Sequence, residues 1–442
     1  MLLVGNGNLL TLGRECRLIS DGGVLIDDGM ITHLGKTAEL QAAAPQAEFI
    51  DCRGKLIMPG FTCAHTHTYS AFARGMALKD DPPANFPQIL QRLWWRLDQA
   101  LTLEDIYYSA LVTFIRCVKN GTTALLNHHA SPRAISGSLE QIAGAARKTG
   151  LRVNLCYEVT DRNGKEQMLA GIEENTAMIK KCTDENPALL TASFGMHASF
   201  TIGEKTMEAC ARTVHDLDTG VHIHVAESRE DVADCREKYG LGVVERLDKY
   251  NLLGPKSLAA HCVHVSDHEI DLLARTETNV AHNPQSNMNN AVGCAPVRKM
   301  LDAGVVIGMG TDGMTTAMIE EMKTAHILHK FCQNDPRAGW EEVPQMQFTN
   351  NARIMANFFP LKLGELTPGA AADLIVINYD PPTPLTADNY YSHMVFGMAG
   401  STVETTIVAG KILMQDQKLA TIDEQEINCT ARELAAKLWK RF

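Results

Sequence analysis

No CxxC pair occurs in this sequence, and its twelve cysteines stand singly along 442 residues. That spacing excludes a disulfide framework or a zinc ribbon. It fits reduced thiols in a cytoplasmic protein, most of them serving as small buried hydrophobes. No apolar run approaches the roughly 20 residues needed to cross a bilayer. The opening MLLVGNGNLLTLG has no basic segment followed by a sustained apolar core, so neither a membrane span nor a secretory signal is expected. No cluster of Lys and Arg interrupts a formal net charge of -11, which leaves nucleic acid without an electrostatic footprint. Internal repeats, low-complexity tracts and long linkers are missing too. What is present is ordinary globular composition, 45% hydrophobic and 21% charged, in a chain long enough for one large domain and a smaller one.

The two ends of the chain read as β structure. Val24-Leu25-Ile26 and Met30-Ile31-Thr32-His33-Leu34 flank Asp27-Asp28-Gly29, a hairpin signal because Asp-Gly accepts positive φ. Ala372–Ile377, Thr405–Val408 and Lys411–Leu413 are strand candidates near the other end. Between them, short β-branched or apolar runs (122–126, 152–156, 221–225, 305–308) alternate with helical stretches over about 300 residues. The expected architecture is α/β, a (β/α)8 TIM-like barrel over residues 58–362. A small β-sandwich domain built from both termini (1–57 and 363–425) and a terminal helix at 426–442 complete it. Periodicity alone leaves a doubly wound open sheet as an alternative.

The chemistry-bearing residues are histidines. In Pro59–His67, His65 and His67 lie two apart, so on a strand both imidazoles face one way and can converge on one ion. An isolated HxH is only suggestive. A second pair, His222 and His224, shares a strand face and is followed by Glu227, a carboxylate of the kind that shuttles protons in metal-assisted hydrolysis. His261 in AHCVH and Asp312 in GTDG each follow a strand-like run, where the loops of a βα barrel build its site. Alone, Asp312 reads as a turn or helix cap; with the histidines it reads as a ligand.

Five motifs in order, PGFTCAHTH, HIHVAE, AHCVH, VAHNPQSNMN and GTDG, resemble those of the amidohydrolase superfamily, in its cytosine-deaminase and chlorohydrolase-like aminohydrolase branch. The terminal segments PGAAADLIVI and VETTIVAGKIL resemble its split β domain, so the likeness covers nearly the whole chain. Within the branch, WWRLDQAL, NHHASP and TDRNG resemble a group associated with purine-related gene clusters.

The resemblance implies His65, His67, His224 and Asp312 as metal ligands, with Asp312 also a base, Glu227 as the proton shuttle and His261 as the group that orients or polarises the reacting centre. His222 has no ligand counterpart and reads as a supporting residue; His282 reads as shaping the rim. Binuclear members bridge two metals with a lysine or carboxylate near the end of strand four. Residues 188–197 contain no Lys, Asp or Glu, so one divalent ion is expected, zinc first, with iron and manganese as alternatives.

Further candidates for substrate contact are His197, Trp94, Arg74 and His129, the last as one of the pair His128 and His129; Leu93, Trp94 and Leu97 equally fit a helix packing on the barrel. Asn287, Met288 and Asn289 are rim candidates. The expected partner is a small heterocycle, and a homo-oligomer is compatible with the sequence. The expected reaction is hydrolytic deamination, against cyclic-amide or ring-halide hydrolysis within enzymes and a metal-binding accessory role outside them.

Overall fold

The computed structural model describes residues 1–185 and 187–442. Both termini contribute to one nine-stranded mixed sheet. Leu18–Asp27 and Met30–Lys36 form the expected hairpin, and its turn residues Asp28 and Gly29 take φ of 46° and 75°. The seam between the two ends is Leu56–Pro59 against Leu374–Asn378, antiparallel, with Leu374 opposite Pro59 and Ile377 opposite Leu56. Alternate residues (Val4, Leu9, Val24, Ile26, Ile57, Val376, Ile407) close a core of their own on one face of this sheet.

The middle of the chain forms two parallel sheets. One runs Phe61–Thr66, Thr122–His129, Arg152–Tyr157 and Leu190–Ala192; the other Phe194–Ala198, Val221–Val225, Leu258–His261, Asn279–His282 and Ile307–Met309. Most of these strands are buried throughout, as parallel strands covered by helices on one face and packed side chains on the other must be. A single residue, Ser193, separates the sheets, and its N–H still donates to Leu155 O in the first. Isolated parallel bridges join the sheets on both sides, Val159 to Met196 and Thr66 to Asp312. The last strand pairs from Ile307 rather than from Val305, whose N–H is taken by Met300 O as the preceding helix closes.

The terminal helix runs Glu424–Arg441, starting two residues before the sequence pattern places it, because Asp423 Oδ1 accepts the N–H groups of Gln425 and Glu426. It packs on helix Leu103–Lys119, and Trp439 Nε1 donates to Phe72 O at 2.7 Å, just after the strand that carries His65 and His67.

One buried ion pair ties the terminal sheet to the parallel strands. Arg152 donates through Nε and a terminal nitrogen to both oxygens of Asp373 (2.7 and 3.1 Å), and its other nitrogen reaches Ala188 O. Asp373 also accepts Ala409 N–H, and both side chains are 2% exposed. Removing one partner strands the other charge in a buried site. Asp373→Ala should therefore destabilise the fold by about 3–5 kcal/mol, read as a lowered midpoint in denaturant titration.

Candidate active site

The chemical groups collect at the C-terminal ends of the parallel strands. His65 and His67 come from the first strand and the residue after it; His128 lies one residue before the end of the second, Glu158 follows the third, and His197 lies near the end of Phe194–Ala198. His222 and His224 lie in Val221–Val225, His261 ends its strand, and Asp312 follows the last. Four non-glycine residues here adopt left-handed backbone: Ala226 (φ 46°), His261 (75°), Cys262 (49°) and Asp312 (51°). Conformations of this kind cost free energy and persist only where the surroundings enforce them. Gly310 makes one such approach possible, since a Cβ there would sit 2.5 Å from Asn283 Oδ1 and 2.8 Å from the His65 backbone nitrogen. Thr311 and Asp312 can then both donate their N–H groups to His65 O.

Each of the four central imidazoles has its Nδ1–H committed. His65 donates to His222 Nε2, His67 to His128 O, His224 to His197 O and His261 to Asn287 Oδ1, all at 2.8 Å. Every Nε2 is thereby turned inward with its lone pair free, and those of His65 and His261 are buried without a partner. His67 Nε2 and His224 Nε2 face each other at 3.2 Å, and Asp312 Oδ1 lies 3.3 Å from His67 Nε2 and 3.9 Å from His65 Nε2. Three lone pairs and a carboxylate oxygen converging in a buried site repel one another unless a cation lies between them. The donor set, three nitrogens and one oxygen, suits a divalent ion such as zinc. Burial, with the neighbouring imidazoles, holds His65 and His224 well below the usual histidine range, which keeps them neutral as ligands must be. For Asp312 burial opposes ionisation, but His67, His261, the Ser286 hydroxyl and Gly313 N–H together hold it below the usual carboxylate range.

On the other side of Asp312, its Oδ2 accepts from Ser286 Oγ at 2.6 Å and lies 3.7 Å from His261 Nε2. Glu227 Oε2 lies 3.6 Å from the same nitrogen. Burial pushes the Glu227 carboxyl up to about 7, with His261 partly offsetting it. These groups open onto a pocket of about 670 Å³, counting its mouth, walled by Tyr69, Phe86, Leu90, Trp94, Trp95 and Phe200. Aromatic walls with a few convergent polar groups are the usual make-up of a small-molecule site.

Of the candidate substrate contacts, Trp94 and His197 line this pocket. His129 does not: it turns away to Ser131 Oγ (3.0 Å), and His128 is the one that faces the cluster. Arg74 lies outside it too, exposed beside a small cleft next to Ser70 and Thr113. Asn287 orients His261, whereas Met288 and Asn289 point to solvent. His222, read as a supporting residue, is the partner that orients His65. The pocket also contains Glu158, Asp98, Arg162 and Asn290, none of which the sequence reading singled out. Glu158 pairs with His128 Nδ1 at 3.0 Å. Its only sequence signal is a carboxylate one residue past a strand.

The Amidohydrolase family matches residues 56–413, most of the chain. The protein belongs to this family. The amidohydrolase is 32% identical to 5'-deoxyadenosine deaminase of Methanosarcina mazei over all of this chain and 99% of that protein. It is 32% identical to 5-methylthioadenosine/S-adenosylhomocysteine deaminase of Desulforudis audaxviator over 94% of this chain and 95% of that one. A zinc-bound adenosine deaminase from Xanthomonas campestris superposes with a TM-score of 0.85 at 23% identity, covering 99% and 98% of the two chains, and fixes the fold as TIM-barrel-like α/β. As an amidohydrolase the protein is a hydrolase of carbon–nitrogen bonds other than peptide bonds.

His67→Ala should yield protein without bound metal by elemental analysis; full retention would remove His67 from the ligand set. His222→Ala leaves all ligands but frees His65 to turn, and should weaken metal affinity by about 10–100-fold in a chelator competition.

Proposed function

We propose that this amidohydrolase deaminates an amino-substituted, purine-related heterocycle by hydrolysis, with one divalent ion, zinc first, held by His65, His67, His224 and Asp312. The observation that carries the reading is His261 Nε2 placed between Glu227 Oε2 and Asp312 Oδ2, at 3.6 and 3.7 Å, beside the free lone pairs. The deaminase names of the relatives support it. A second ion is not part of the reading: His67, His128, Glu158 and His224 also lie close together, but His128 and Glu158 already satisfy each other.

When bound, the ion supplies Lewis acidity that makes water a usable nucleophile near neutral pH. Asp312 accepts the proton of the attacking water on Oδ2. With its Nδ1–H committed to Asn287, His261 turns the Nε2 lone pair toward the attacking water and orients it by accepting a hydrogen bond. Glu227, protonated, gives its proton to the ring nitrogen and then relays one to the departing amine. The products are ammonia and the oxo heterocycle.

The architectural reading goes with this. The two parallel sheets are taken as one (β/α)8 barrel over residues 58–362. Residues 1–57 and 363–425 are taken as a composite β-sandwich domain, followed by the terminal helix. A small molecule is the partner, and the cytoplasm is the proposed compartment: all twelve cysteines are free thiols, and among the described residues no helix is long and apolar enough to cross a membrane. Cyclic-amide or ring-halide hydrolysis uses the same water but releases ring-opened acid or halide. A metal-binding accessory role needs the ligands but neither Glu227 nor His261.

Metal-loaded protein should release ammonia from aminated purines of the adenosine class; silence across aminated purines, pyrimidines and triazines would sink deamination. Glu227→Gln should keep its metal and lose about 10²–10⁴-fold in turnover. Since Glu227 is raised to about 7, its acid form predominates below that pH and is lost above it. The wild-type kcat/KM should therefore fall on the alkaline side of a midpoint near that value.

A further inference from the structure

Glu158 has no part in the reaction just described, yet it lies in the pocket at 3% exposure. Its Oε1 accepts from His128 Nδ1 at 3.0 Å. The other nitrogen of His128 lies 2.9 Å from His222 O, so the ring is held between the two and Oε1 of Glu158 is already met. Glu158 Oε2 is different. Among the described residues no donor lies within hydrogen-bond reach of it, and His197 Nε2 stands 3.8 Å away. That nitrogen is itself an acceptor: Thr201 Oγ1 gives its proton to Ala198 O and so receives the Nδ1–H of His197 at 2.7 Å, leaving Nε2 bare.

Two acceptors thus face each other across a gap with no hydrogen between them, on the wall of a site shaped for a flat ring. A ligand N–H or NH₂ placed there satisfies both. A ring edge carrying only lone pairs leaves a desolvated carboxylate oxygen unmet, which is the costly kind of mismatch. Glu158 and His197 line the same pocket as His67, His224 and Glu227, so the group that meets them lies close to the reacting centre.

We propose that Glu158 is a specificity-determining residue, and that its free oxygen, with His197 Nε2, selects heterocycles bearing a hydrogen-bond donor beyond the amino group that leaves: a ring N–H or a second amino group. This rests on the deaminase reading for the kind of ring, and its test is independent of turnover. Calorimetry on zinc-loaded protein compares inosine, whose one base N–H is the N1–H that the mechanism turns toward Glu227, with guanosine, which adds an amino group, and with 8-oxoinosine, which adds a second ring N–H. At least one donor-bearing ligand should bind about tenfold or more tighter than inosine, the scale of one hydrogen bond to a charged group. Glu158→Gln should erase most of that preference, read as the ratio of the affinities for the added-donor ligand and inosine.

The preference is a ratio within one protein, so a general loss of active molecules cancels. Should Glu158→Gln fail to hold metal, Thr201→Val frees the His197 ring without touching the Glu158–His128 pair, and the same ratio should fall. No preference in the wild type, or a ratio unchanged in the variant read, overturns the proposal. Loss of ammonia release from every aminopurine would instead remove the deaminase reading and leave this measurement intact.

Discussion

The site depends on one electrostatic arrangement: imidazoles whose Nδ1–H groups are all spent on the protein, so that their lone pairs have nowhere to point but at each other. Two of the acceptors are backbone carbonyls, His128 O and His197 O, which belong to neighbouring strands and shift only if the strands do. The other two are side chains, His222 and Asn287. The repulsion this creates at 3.2 Å between His67 and His224 is part of the fold's internal tension, relieved by a cation. Asp312 divides the space by its two oxygens, one toward the imidazoles and one toward Ser286 and His261.

Backbone geometry serves the same end. Left-handed residues at Ala226, His261, Cys262 and Asp312 turn the chain sharply where strands end, so Glu227, His261 and Asp312 point across the mouth instead of along the strands. The Arg152–Asp373 pair and the Leu56–Pro59 seam hold the strand bases on the far side.

Much of this is legible in the chain because period-two spacing carries direction. His65 and His67 fall on one face, as do His222 and His224, and a shared face is what convergence requires. The limit is that alternation fixes relative sides without naming the inner one. His128 and His129 were bound to diverge, and only packing selects His128. Glu158 was missed because a lone carboxylate after a strand has no spacing partner; what marks it is His128 and His197, contributed by strands 30 and 39 residues away in sequence. Arg74 fits no pattern of period or partner, and it lies outside the pocket. Helix and strand ends moved by a residue or two wherever a local bond intervened, as at Asp423 and Val305.

The seam at Leu56–Pro59 has a consequence for how the molecule is made. That strand runs straight into the one bearing His65, yet its partner, Leu374–Asn378, leaves the ribosome more than 300 residues later. Until then one edge of that strand is unpaired, and Asp373 has not arrived to meet the buried Arg152 guanidinium. Assembly of the centre is therefore a late event in synthesis. The nascent chain must keep a long hydrophobic intermediate from pairing with its neighbours while it waits.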